Sequence, residues 1–118
     1  MIYKVRAMQS AQADMREIHR YISEDLQNPD AAVRCVKLLE KSIRSLNAMP
    51  ARFPLVLDDY LASKGFRVMV IKTHLVFFVI REDAKAVSVI RILYVRRDWV
   101  RLLKIDAQNL TQSSTAIS

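Results

Sequence analysis

Residues 65–95 read GFRVMVIKTHLVFFVIREDAKAVSVIRILYV, and the reading of this stretch decides the fold. Segments 65–72, 75–81 and 86–95 are rich in Val, Ile and Phe, with short polar breaks at Thr73-His74 and at Glu82-Asp83-Ala84-Lys85. β-Branched and aromatic side chains pack well on a pleated surface, and breaks this short suit hairpin connections. The pattern therefore predicts a three-stranded antiparallel meander. Residues 75–80 are apolar on both parities and belong at the centre of the sheet. The flanking strands carry basic residues inside them: Arg67 shares its parity with Met69 and Ile71, and Arg91 shares its parity with Val87, Val89 and Leu93.

Upstream of the meander the period changes. Residues 2–8 alternate as a short strand with one apolar face. Ser10 is placed to cap a helix whose stripe is Met15, Ile18, Ile22 and Leu26. Asn28-Pro29 restarts the pattern as a cap followed by proline in the first turn, and Ala32, Val36, Leu39, Ile43 and Leu46 then recur at helical spacing. The two stripes can pack as an antiparallel hairpin, which Met49-Pro50 terminates. Residues 51–64 read as a packed loop with one helical turn, residues 97–105 as a short terminal helix, and residues 106–118 as a flexible tail. Met8, Met15, Met49 and Met69 are assigned to the core. The expected fold class is α+β, a single domain over residues 1–105. A helical hairpin covers one face of a mainly antiparallel four-stranded sheet, and the opposite, basic face is the working surface.

Charge is focused in the second half. Of the 19 Lys and Arg and 12 Asp and Glu, residues 64–104 hold ten basic side chains against three acids, a balance of +7; residues 1–63 balance nine against eight, and the remainder contributes −1 through Asp106. Such a basic sheet points to a polyanionic or acidic partner. At 118 residues, 52% of them hydrophobic, the chain fits one compact domain. It has neither an apolar run of bilayer length nor a secretory signal, so a cytoplasmic location is expected. A single cysteine, Cys35, allows no internal disulfide, and with only His19 and His74 no metal is expected. One glycine in the whole chain is too few for a phosphate-cradling loop, and no cofactor is expected. Cys35 reads as a small buried side chain, His19 as a helix-flank residue and His74 as part of a turn.

Residues 90–99, IRILYVRRDW, resemble the end of the last strand in the RelE/ParE superfamily of type II toxin–antitoxin toxins. There an Arg is followed by two apolar residues, a His or Tyr, and a basic cluster with Asp and an aromatic residue. Arg91, Tyr94, Arg96, Arg97, Asp98 and Trp99 hold those places. YKVRAMQSAQADMREIHRYIS at 3–23 resembles the family's first strand and helix, and GFRVMVIKTHLVFFVI its middle hairpin. The resemblance implies a growth-inhibiting toxin neutralised by a cognate acidic antitoxin, with a homodimer left open.

Two mechanisms divide the superfamily. RelE-like members resemble one another in cutting mRNA on the ribosome without metal, which needs fixed positive charge around a pentavalent phosphate and a proton-transfer group. The resemblance assigns that role to Arg67, Arg91, Tyr94 and Lys64, with Lys72, Arg96, Arg97 and Trp99 contacting nucleic acid or target. This endoribonuclease reading is the preferred expectation. ParE-like members instead poison DNA gyrase and need no catalytic residues, and a basic nucleic-acid-binding module is the third alternative. Regular strand alternation puts Tyr94 on the face opposite Arg91, so a shared site would need a bulge or the strand end. Trp99 could stack on a base or anchor the terminal segment.

Overall fold

The computed structural model describes the backbone of residues 2–117 and the side chains of residues 2–109. Strand β1 (Lys4–Ala7) leads into helix α1 (Gln9–Arg20), which loosens into a π-type turn at Tyr21–Asp25 before helix α2 (Pro29–Arg44). The one-turn helix α3 (Asp59–Ser63) precedes the meander β2 (Phe66–Ile71), β3 (His74–Arg81) and β4 (Ala86–Tyr94), and helix α4 (Trp99–Ile117) closes the chain. The sheet order is β1-β4-β3-β2. The meander is antiparallel, as the breaks required, while β1 joins β4 in parallel with Val5 beside Val87 and Ala7 beside Val89. Thus β3 is interior, as its two apolar faces demand, and shares that position with β4.

Local chemistry sets the element ends. Asn28 accepts from the Ala31 N–H at 3.1 Å, so the cap-plus-proline start of α2 is observed. Asp58 caps α3 in the same way, accepting from Leu61 at 2.9 Å. Ser10 does not cap α1: Met8 holds that position, and the Ser10 hydroxyl is used elsewhere. Leu26 leaves the α1 stripe and is exposed, because the extra residue in the π-type turn rotates the next part of the chain away from the sheet. Met49 is also exposed, since its left-handed φ of 49° turns the chain sharply ahead of Pro50. The terminal helix is longer than expected and holds Asp106 and Ala107 within the packed body. Most of the expected tail lies outside the residues whose side chains are described.

Helices cover both faces. The α1–α2 hairpin packs Ala11 and Leu39, and the 3-10 turn after it Leu46, onto Met69, Val76, Phe78, Val87, Val89 and Ile92. The other face, expected to be open and basic, is covered by α3, α4 and the preceding loop, with Val56, Leu61 and Leu103 on Phe66, Leu75, Phe77 and Ile90. Strand β3 explains this, because Phe77 and Phe78 point to opposite faces and each needs a lid. Phe78 is fully buried and meets the Phe53 ring edge-on at 6.1 Å. Replacing it with alanine should cost about 3–5 kcal/mol, read as a lowered urea midpoint at unchanged slope.

Candidate functional site

Strand β1 stops at Ala7, so β4 continues past Val89 with no strand on that side. Helix α1 takes over the exposed edge. The Met8 N–H donates to the Val89 carbonyl, the Ser10 hydroxyl to the Ile90 carbonyl and the Ile92 N–H to Asp14 Oδ2, each at 2.9 Å. The β4 backbone bulges here: Phe77 faces Arg91 and Phe78 faces Val89, so Ile90 is an extra residue. The bulge moves Arg91 off the parity of Val87 and Val89. Its Nε and Nη2 donate to the two Asp14 oxygens at 2.7 and 2.9 Å, and Nη1 donates to Asp106 on α4 at 3.4 Å.

All three side chains are at least five-sixths buried. The Asp14 carboxylate raises the Arg91 pKa still further, whereas burial pushes the Asp106 carboxyl up despite the nearby guanidinium. Arg91 is therefore committed to a bidentate internal pair joining α1, β4 and α4.

Arg67 is also engaged. It lies opposite Phe78 on the hairpin side of edge strand β2, and Nη1 donates to the carbonyls of Phe53 at 2.7 Å and Ala51 at 3.5 Å. It pins the loop that shields the β2 edge. Arg67 and Arg91 are thus separated by β3 and lie on opposite parities, so they do not share the one basic working face expected of the sheet. Lys64 ends α3 at the start of β2, with Nζ 5.6 Å from the Tyr60 ring centre. Tyr94 stands at the other end of the sheet, about 20 Å away along a six-residue strand. The bulge precedes both Arg91 and Tyr94 and leaves them on opposite parities.

The structure instead brings together the β2–β3 turn and the β4–α4 loop. Lys72 occupies the first turn position with φ 53°, a conformation that favours glycine. The Val95 N–H donates to the Thr73 carbonyl at 2.8 Å, bracing the two turns against each other, and the Arg97 N–H donates to the Tyr94 carbonyl at 2.9 Å within the β4–α4 loop. Tyr94 meets His74 edge-on at 6.0 Å. Lys72, Tyr94, Arg96 and Arg97 are exposed, and none of the three cations has a carboxylate within ion-pair distance among the described residues. Trp99 is half-buried and stacks on Phe77 at 5.2 Å, which anchors the start of α4. Asp14, Ser10 and His74 are the participants that sequence reasoning missed. The available signal for the first was an acid in the middle of an amphipathic helix, one of two in α1 with Glu17. Among the described residues no His, Cys, Asp or Glu cluster is arranged to hold a metal ion, and no helix is long and apolar enough to cross a membrane.

This architecture resembles that of solved toxin–antitoxin structures. The ParDE system of P. aeruginosa is similar with a TM-score of 0.68 at 16% identity, covering 80% of this chain and 98% of that one. The RelBE2 toxin–antitoxin complex of Mycobacterium tuberculosis is similar with a TM-score of 0.57 at 16% identity, covering 80% and 99%. No curated protein sequence matches. The family model described as the ParE toxin of the type II toxin–antitoxin system parDE matches residues 5–99, and the chain belongs to that family.

Two outcomes test the site's physics. Arg91→Ala leaves Asp14 and Asp106 buried without their counter-charge and should cost about 3–5 kcal/mol in chemical denaturation; a loss below about 1 kcal/mol, the size of an exposed pair, would contradict a structural role. Burial lowers the His74 pKa from 6.5, so the fold favours neutral imidazole. That stability is present above the unfolded pKa and is lost as pH falls through it toward the folded one. Between neutral pH and about pH 5, His74→Phe should therefore show a shallower loss of stability than wild type.

Proposed function

We propose that this toxin inhibits growth by binding DNA gyrase and trapping its cleaved DNA, rather than by cutting RNA itself. The observation that carries this reading is the dispersal of the residues a ribonuclease would need. Arg91 is spent on Asp14 and Asp106, Arg67 on backbone carbonyls, and Lys64 and Tyr94 stand at opposite ends of the sheet. Transition-state stabilisation requires donors preorganised around one reacting phosphate. A binding poison has no such requirement. The ParE family match over residues 5–99 supports the same choice.

The partner that restrains the toxin is an acidic antitoxin. The two solved structures named above are toxin–antitoxin systems, and the +7 net charge favours an acidic segment that folds as it wraps this chain. The free toxin acts in the cytoplasm.

Expression without antitoxin should arrest growth, accumulate gyrase–DNA cleavage complexes and leave ribosome-bound messages intact, with Tyr94→Phe as toxic as wild type. Messages cut on the ribosome to 2′,3′-cyclic phosphate ends, with supercoiling unaffected, would overturn this reading in favour of RNA cleavage.

A further inference from the structure

The β2–β3 turn and β4–α4 loop hold positive charge that the fold itself leaves unused. Across residues 64–104, Lys85, Arg91, Arg101 and Lys104 pair with carboxylates, Arg67 with carbonyls and Lys64 with the Tyr60 ring, whereas Arg81, at the far end of β3, and the three turn cations Lys72, Arg96 and Arg97 have no such partner among the described residues. These three cations come from two turns locked by the Val95–Thr73 backbone hydrogen bond, so their Cα positions are preset rather than carried on mobile termini. Lys72 adds a second sign. A two-residue hairpin turn with φ of 53° at its first position is the place of a glycine, and a lysine there costs conformational energy that no ion pair of its side chain among the described residues offsets. The half-exposed Tyr94 ring, held edge-on by His74, offers a flat apolar surface beside the charges.

We propose that Lys72, Arg96 and Arg97 form a phosphate-backbone grip for duplex DNA, with Tyr94 packing against the sugar edge. Building on the gyrase reading, that DNA is the segment gyrase holds, so the toxin recognises enzyme and DNA together. Cations on braced turns suit a polyanion with regularly spaced phosphates, and with no competing carboxylate among the described residues no internal ion pair must break on binding. A cavity of about 390 Å³ lies between β1, α1, α2 and Ile92 of β4, and none of Lys72, Tyr94, Arg96 and Arg97 lines it.

The test uses the full chain and a short fluorescent DNA duplex. Three phosphate contacts predict a slope of log affinity against log salt near −2.7, about a 40-fold loss between 50 and 200 mM salt. The triple variant Lys72→Asn, Arg96→Gln, Arg97→Gln keeps a residue tolerant of positive φ at 72, and should flatten the slope toward zero at an unchanged melting temperature. It should bind DNA-free gyrase like wild type yet trap at least about 10-fold fewer cleavage complexes, the loss of one tenfold step in affinity. The charge-matched control Arg34→Gln, Lys37→Gln, Lys41→Gln, on the exposed side of α2, should keep the wild-type slope.

Duplex binding with an unchanged slope in the triple variant, an equal loss in the α2 control, or a preference for single-stranded RNA over duplex would each overturn the proposal. A wild type that grips duplex through these residues but ignores gyrase would sink the gyrase reading alone and still support this grip.

Discussion

A strand that outruns its neighbour exposes N–H and C=O groups that must find partners, and β4 outruns β1 at Val89. The first turns of α1 supply those partners through Met8, Ser10 and Asp14. Asp14 accepts from the Ile92 backbone and from Arg91 simultaneously, so one carboxylate fixes where α1 crosses the sheet and where Arg91 points. Asp106 extends the same link to α4 on the far side. The sheet is thereby clasped between two helical layers at the point where its own hydrogen bonding runs out.

That clasp limits the chemistry available. An arginine with three of its nitrogens given to buried carboxylates cannot also stabilise a reacting phosphate without leaving those carboxylates uncompensated. Arg67 faces a milder form of the same trade, because the Phe53 and Ala51 carbonyls it satisfies belong to the loop guarding the β2 edge. Part of the unclaimed charge lies at the end of the sheet where Lys72, Arg96 and Arg97 project from turns. A binding surface there tolerates such placement, whereas a catalytic centre would need convergence.

The interior carries the rest of the architecture. Phe77 and Phe78 are adjacent, fully buried and directed to opposite faces. Two lids are needed, and α4 with α3 provides the second one, with Trp99 stacked on Phe77 at its entrance. This explains why the terminal helix is longer than its apolar pattern suggested, and why the basic face anticipated for the sheet is instead a second core.

The sequence by itself determined the elements and their order: the meander from its Val, Ile and Phe runs and short breaks, the α2 start from Asn28-Pro29, and the interior place of β3 from its doubly apolar pattern. These are local signals, because periodicity and capping act within a few residues. It also determined that the second half would be basic. Only the tertiary structure decided which charges are free. Arg91 meets Asp14 across 77 positions of sequence, and the one-residue bulge at Ile90 reverses the parity that regular alternation assigns to it. Neither is written in composition or spacing. An internal ion pair depends on which helix crosses which strand end, and an arginine reads the same in the chain whether it faces a target or its own carboxylate.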